Sequence, residues 1–477
     1  MTLPDGLVAI VKRDCPTCTL VVPVLTELDA DPTTALTVFT QDDPTFPDGI
    51  DAVDDTDLTV SFALDLDTVP TLLRIEDGRE VARTVGWSRE QWQAFTGRMG
   101  LGEGLPPHRP GCGSRTQDPD LVAARTAAAG AAQLRSRRVE LGEREDDIEA
   151  MFERGWSDGL PLVPPTPERV ARMLTGTTRD PAEIVANVAP DLVDCTVEKV
   201  AINAVLAGCR PEYLPVVLAA VEAACTDEFN IHGVLATTMP VGPVVVVNGP
   251  VARAIGMNSR GNALGQGNRA NATIGRALQL VIRNVGGGRP GGVDRATQGN
   301  PGKYTFCFAE DEAGSPWEPL HVSRGFDPHD SAVTLFTGEG PRGIIDQASR
   351  TPESLVASFA ACLRTVAHPK IVVGIDAMLV VSPEHARVFA EAGWDRAHLL
   401  DALGERLQVP GREFVRGANG ISEGMPEAFA DTTLPKFRDG GLLVVHVGGG
   451  AGLFSTIIGG WLSGAAGSEP VTRRIMT

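Results

Sequence analysis

The chain is short of several things, and each shortage removes a class of protein. Eight cysteines in 477 residues are too few to staple a secreted disulfide scaffold, so a reducing, cytoplasmic setting is the expectation. Basic charge is scarce: 42 Lys and Arg against 61 Asp and Glu leave a formal net charge of −19. That balance argues against nucleic acid or an anionic membrane as partner. The opening residues Met1-Thr2-Leu3-Pro4-Asp5 lack the basic region and apolar core of a secretion signal. Unbroken apolar runs are missing too. Residues 440–467, with His446 as their sole ionisable residue, are long enough to span a bilayer, but glycines at 448–450, 452, 459 and 460 interrupt them. They read as strand, glycine turn and helix, not as a membrane span. No long internal repeat is visible.

What is present begins with Cys15-Pro16-Thr17-Cys18. Residues 7–11 form a short apolar, β-branched run that predicts a buried strand, and residues 19–28 carry apolar positions at helical spacing. The first cysteine then sits at a helix N-terminus, where free N–H groups and the helix dipole favour a thiolate. A zinc half-site is the competing reading. No second C-x-x-C or H-x-x-H completes four ligands, so redox chemistry is preferred and a metal is left open.

Residues 35–40 predict a second strand, residues 71–75 and 80–85 a hairpin around Glu76-Asp77-Gly78, and residues 87–99 a closing helix with Ser88 as N-cap. Val69-Pro70-Thr71 stands before the hairpin. In the order strand, Cys-x-x-Cys, helix, Val-Pro-Thr, hairpin and last helix, residues 5–100 resemble the thioredoxin family. The resemblance implies the thioredoxin fold, a cis Pro70 against the disulfide, and dithiol–disulfide exchange with Cys15 attacking and Cys18 resolving. This chain departs from the best-known members: Asp14 precedes the first cysteine, and no acidic residue lies within the first strand.

At this length two or three domains are expected. A thioredoxin-like domain over residues 1–101 is followed by a linker and a solvated helix over 102–146, then by a larger α/β domain with Gly-rich loops over 147–477, with a subdomain split near 350. Cys112, within Pro110-Gly111-Cys112-Gly113-Ser114, reads either as a swinging relay thiol beside His108, Arg109 and Arg115 or as an ordinary linker cysteine. Cys209, between two predicted helices and next to Arg210, is a second relay candidate.

Further on, residues 258–271 hold Asn258, Arg260, Asn262, Asn268, Arg269 and Asn271 ahead of a predicted helix. Gly265, Gly267 and Ala270 fit G-x-G-x-x-A, but no strand leads into them, so a dinucleotide fingerprint is rejected. Amides, arginines and free N–H groups there, with Lys303, suggest a site for a carboxylate or phosphate. Glu310, Glu318 and His321 are acid/base candidates before they are metal ligands. The glycine loop 448–452, with a helix expected near Ser455, lacks the lysine of a P-loop.

These readings combine into a thiol-dependent oxidoreductase or lyase. A C-x-x-C module supplies electrons to the larger domain, or resolves a sulfur adduct for it, on a small anionic substrate. No cofactor beyond the redox-active disulfide is implied. An external thiol reductant or reductase is the expected partner, and an oligomer is compatible with the sequence. The alternatives are a redox-sensing binding protein without turnover and a protein-disulfide reductase with a docking domain.

Overall fold

The structure, a computed structural model, describes residues 3–121, 134–142 and 145–476. Of the helix expected over 121–148, residues 122–133 and 143–144 lie outside them; residues 134–142 are not helical, and a separate helix starts only at Asp147. The chain divides into two compact units, Met1–Ala129 and Gly130–Thr477, with mixed helices and sheets in an α/β architecture. Among the described residues no helix is long and apolar enough to cross a membrane.

In the first unit, β1 (Gly6–Val11) leads through Cys15 into α1 (Pro16–Asp29), then β2 (Leu36–Thr40) and the short β3 (Val53–Asp54). After α2 (Thr59–Ala63) come β4 (Thr68–Val69), β5 (Thr71–Glu76), β6 (Arg79–Val85), β7 (Trp87–Ser88) and α3 (Arg89–Thr96). The sheet order is β3-β2-β1-β5-β6, with β1 parallel to β2 and antiparallel to β5. Buried Val21, Val24, Leu25 and Leu28 of α1 follow helical spacing, so one face of the helix packs on the sheet. The β5–β6 turn uses Asp77 and Gly78 at φ 51° and 72°, the left-handed geometry a tight hairpin requires. Ser88 caps α3 by accepting from Gln91 N–H, and the Val69–Pro70 bond is cis.

Residues 106–117 do not hang free as a linker. They form β8 (His108–Arg109), paired to β7, and β9 (Cys112–Gly113), paired to β4. Trp87 Nε1 donates to Pro106 O at 2.7 Å and Thr17 Oγ1 to Pro110 O at 2.7 Å. Buried Gln41 donates to Ser114 Oγ at 2.8 Å, while Arg115 Nη1 donates to Gln41 O at 2.8 Å. A Cβ on Gly111 would lie 2.4 Å from Thr68 Cγ2 and 2.7 Å from Val69 O, so this arm lies too close to β4 for any side chain there.

The second unit opens with α4 (Asp147–Glu153), α5 (Pro167–Leu174) and the hairpin β10 (Ile184–Val188) and β11 (Val193–Thr196). Then come α6 (Val197–Ala207), α7 (Leu214–Ala224) and α8 (Ile231–Ala236). Two series of elements follow. The first is β12 (Gly242–Asn248), α9 (Pro250–Ala254), α10 (Arg269–Asn284), β13 (Cys307–Ala309), α11 (Leu320–Ser323), β14 (Ala332–Gly338) and β15 (Arg342–Ile345). After α12 (Pro352–Leu363), the second is β16 (Ile375–Val381), α13 (Pro383–Glu391), α14 (Arg396–Arg406), β17 (Gln408–Pro410), β18 (Thr433–Pro435), β19 (Leu442–His446), β20 (Phe454–Leu462) and β21 (Val471–Arg474).

The main strands order as β13-β12-β14-β20-β16-β19, and the pairing repeats. In each half a central strand (β12 or β16) is parallel to the strand reached through two helices and antiparallel to the one after it. The halves meet at Gly338 and Gly460 and exchange strands: β15 of the first pairs with β20, and β21 of the second pairs with β14. The strand pairing of the two series thus repeats, a regularity that the sequence conceals. The strand β20 also replaces the helix expected near Ser455.

The two outer strands, β13 and β19, meet at their C-terminal ends. Asp311 N–H donates to His446 O at 2.9 Å, and His446 N–H to Glu310 Oε1 at 3.4 Å. The sheet therefore curls round on itself. Val246, Phe308, Phe336, Met378, Val445 and Ile458, one from each of the six strands, share one cluster on the enclosed face. Their neighbours Val245, Leu335, Leu379 and Ile457 pack outward against helices, the alternation that strand geometry dictates.

Candidate functional site

Three thiols converge in the first unit. Cys15 is the N-cap of α1, its sulfur accepting the Cys18 N–H at 3.3 Å. It also lies 3.6 Å from the Val69 carbonyl. Cys112 stands opposite Val69 in the β4–β9 ladder, which brings its thiol near that of Cys15. The Cys15 thiol is lowered to about 5, first by the hydrogen bond from the Cys18 thiol, against burial, and then by the Cys112 thiol and the N–H groups of Cys18 and Thr17. Burial and the neighbouring Cys15 sulfur push Cys18 strongly up and raise Cys112. The group thus favours a thiolate on Cys15 and protonated thiols on Cys18 and Cys112. Asp14 is exposed and its charge is spent in solvent. Pro70 directly follows the residue whose carbonyl meets Cys15.

Cys209 lies apart from this chemistry. It is buried, its thiol 3.4 Å from the Thr273 carbonyl, and burial pushes it up to about 12 despite that hydrogen bond and Arg269. Local charge and a helix start favour a thiolate on paper; desolvation outweighs both.

The amide-rich loop turns its side chains on itself. Asn271 exchanges hydrogen bonds with the Asn258 backbone and also donates to Ala263 O. Asn258 donates to Gly261 O, Asn262 to Gln266 O and Asn268 to Gly256 O. Asn268 caps α10 as well, accepting from Asn271 N–H at 3.0 Å. Arg269 donates to Gly208 O, and Lys303 pairs with Asp294 at 2.9 Å. Arg260 is exposed and reaches Asp311 at 3.1 Å.

A second polar constellation lies where β13 and β19 meet. Glu310 accepts from Asn248 Nδ2 and Leu320 N–H, each at 2.7 Å, and from His446 N–H, with Arg396 Nη2 3.7 Å away. Burial raises its carboxyl; Arg396 and these donors pull it back. Glu312 accepts from Asn248 Nδ2 at 3.0 Å and from Gly249 N–H at 2.6 Å. Gly448 N–H donates to Ser259 O at 3.0 Å, tying the glycine loop to the amide loop. Around this seam Asn248 Oδ1 and Arg396 Nε are buried without a hydrogen bond among the described residues, and the ring nitrogens of His321 and His446 meet only the backbone of Asp327, Pro328 and Val381, none in good hydrogen-bond geometry. Burial lowers both imidazoles, holding them neutral, against the opposing charges of Glu312 and Asp311. Glu318 is exposed while His321 is fully buried, so the E-x-x-H spacing does not join them; the Glu318 backbone carbonyl instead accepts from Arg396.

Glu310 and His321 were visible as candidates from sequence. Asn248 and Arg396 were not, because the fold alone brings them to Glu310 across long sequence separations. A cavity of about 690 Å³, lined by Met151, Val170, Lys199, Ile202 and Arg289 among others, contains none of the residues singled out from sequence. Among the described residues no group of three or more His, Cys, Asp or Glu is arranged to hold a metal ion. No protein-family model and no curated protein matches the chain.

Proposed function

We propose that the first unit is a thioredoxin-like module carrying out thiol–disulfide exchange, with Cys15 as nucleophile and Cys18 as resolving thiol, and that the protein is a thiol-dependent oxidoreductase. The observation that carries this reading is Cys15 at the N-cap of α1, ionised at about 5 while Cys18 stays protonated within hydrogen-bond reach. Attack by a thiolate whose resolving partner keeps its proton is how a dithiol reduces a disulfide by two electrons. The strand order and the placing of Pro70 beside Cys15 support the family reading.

The second unit is read as the part that holds a small substrate, at the Glu310–His446 seam. Neutral imidazoles each offer one donor and one acceptor, and Asn248 Oδ1 offers an acceptor. Such a set favours an uncharged ligand able both to donate and to accept. The amide loop, its side chains already engaged, gives the anionic substrate suggested by sequence little support.

Turnover tests the exchange reading. The reduced full chain, incubated with glutathione disulfide and dithiothreitol, should release glutathione over many cycles. Cys15→Ser should lose this activity, and Cys362→Ser should keep it. Equal rates for Cys15→Ser and the wild type refute the reading. A single stoichiometric oxidation without cycling favours a redox sensor instead.

A further inference from the structure

We infer that Cys112 is the thiol through which disulfides reach this centre, so that exchange runs from Cys112 to Cys15 to Cys18. The inference rests on the exchange reading and names the route by which its substrate arrives.

Access is the first observation. Cys15 is 1% exposed and Cys18 is 0% exposed, whereas Cys112 is partly exposed. An outside sulfur therefore meets Cys112 before it meets the nucleophile. Geometry is the second. The β4–β9 ladder fixes Cys112 opposite Val69, whose carbonyl also contacts Cys15, so the two thiols are near enough for each to shift the other's acidity. The arm is the third observation. Thr17 holds Pro110, Gln41 holds Ser114 and Arg115, and Gly111 lies flat on β4. Cys112 is thus a fixed neighbour of Cys15 and part of the lid over it, not a thiol on a loose tether.

The steps balance for an external disulfide R–S–S–R. Cys112 loses its proton to solvent and attacks one substrate sulfur. The S–S bond breaks, and R–S⁻ leaves to take a proton from solvent. Cys15, a thiolate throughout, attacks the Cys112 sulfur and expels the second R–S⁻, forming Cys15–Cys112. Cys18 then attacks Cys15, its proton going to Cys112, which is restored as a thiol. Two protein thiols are oxidised to Cys15–Cys18, and one external disulfide is reduced to two thiols. In reverse, an external thiol attacks the Cys112 sulfur of Cys15–Cys112 and displaces Cys15, the most acidic leaving group of the three.

Trapping variants of the full chain decide the route, with glutathione disulfide as probe. In Cys15→Ser, at about pH 9 to ionise the raised thiol, glutathione should be found on Cys112 by peptide mass spectrometry. In Cys18→Ser, a Cys15–Cys112 disulfide should accumulate. Cys112→Ser and Cys112→Ala should slow oxidation of the Cys15–Cys18 pair by about tenfold or more, since substrate must then wait for the arm to open. The inference is overturned if either Cys112 variant reacts as fast as the wild type or faster, or if Cys18→Ser carries glutathione on Cys15. In those cases the arm is only a cover, and exchange at Cys15 still stands. If no variant and not even the wild type forms a disulfide among these three thiols, the exchange reading falls as well. The Cys18→Ser trap leaves the arm untouched, so it remains decisive should a Cys112 variant fail to fold.

Discussion

Deleting the Cys18 thiol is the sharpest test of why Cys15 ionises. The Cys18 thiol is the foremost group holding Cys15 near 5; burial opposes it, and the Cys112 thiol and two N–H groups assist. A hydrogen bond to a charged group contributes about 1.5–3 kcal/mol, and one pKa unit corresponds to about 1.4 kcal/mol. Cys18→Ala should therefore raise Cys15 by about one to two units, to roughly 6–7. Cys112→Ala removes a lesser donor and should raise it by less. Thiolate absorbance near 240 nm, followed from about pH 3 to 9 on the reduced protein in a Cys362→Ser background, measures the midpoint. Because Cys18 and Cys112 are both raised, the lowest step belongs to Cys15. Iodoacetamide alkylation should fall away below the same midpoint. A wild-type lowest step at the ordinary thiol value, or a midpoint unmoved in Cys18→Ala, refutes the account.

Two further outcomes follow from the same groups and from the seam. Cys15 has a folded value depressed below its unfolded one, so its contribution is complete above the unfolded value near 9 and is lost as pH falls through about 5. Urea unfolding of the reduced protein should show wild type gaining on Cys15→Ser as pH rises from about 5 to 8, by roughly 2–3 kcal/mol at pH 7; a pH-independent difference would contradict this. At the seam, Glu310→Gln strands Arg396 in a buried site and should cost about 3 kcal/mol by thermal or urea unfolding, whereas removing the exposed Arg260 should cost less than about 1 kcal/mol. If the two variants prove equally mild, the buried Glu310–Arg396 pair does not stabilise the seam.

Local signals in the chain were legible and non-local ones were not. The apolar run before Cys15, the Asp77-Gly78 turn and the Ser88 cap depend on neighbours within a few residues, and each is found where sequence places it. The arm defeats such reading. Its two-residue strands have no periodicity, and its partners Gln41, Asp67 and Val69 are 40 or more residues away. Glycine and proline there look like freedom; in the fold they allow the close approach of Gly111 to β4. Cys209 misleads for a different reason: Arg210 is visible in sequence, but full burial is not. The amide loop carries the residues of a binding site, and the fold uses them as caps and turns.

The repeated strand pairing in the second unit leaves its candidate site asymmetric. The two halves share their strand pairing, so β12 corresponds to β16 and β13 to β19, although only the first has a helix before its third strand and only the second inserts the hairpin β17–β18. In register, Val247 stands beside Ala309 and Val381 beside His446. A strict repeat would place the same residues on both sides of the seam. Instead the first half supplies Asn248, Glu310 and Glu312, and the second supplies His446 and, from α14, Arg396. Where the halves touch on the opposite side, glycine is retained in both: a Cβ on Gly338 would lie 2.6 Å from Ile458 Cγ2, and one on Gly460 2.5 Å from the Asp376 carbonyl. Packing thus constrains the Gly338–Gly460 contact symmetrically, while the seam is free to carry different groups from each half. A carboxylate from one half facing a neutral imidazole and a guanidinium from the other places charge and proton-accepting groups side by side. Two copies of either half could not make that set, so the seam requires both halves.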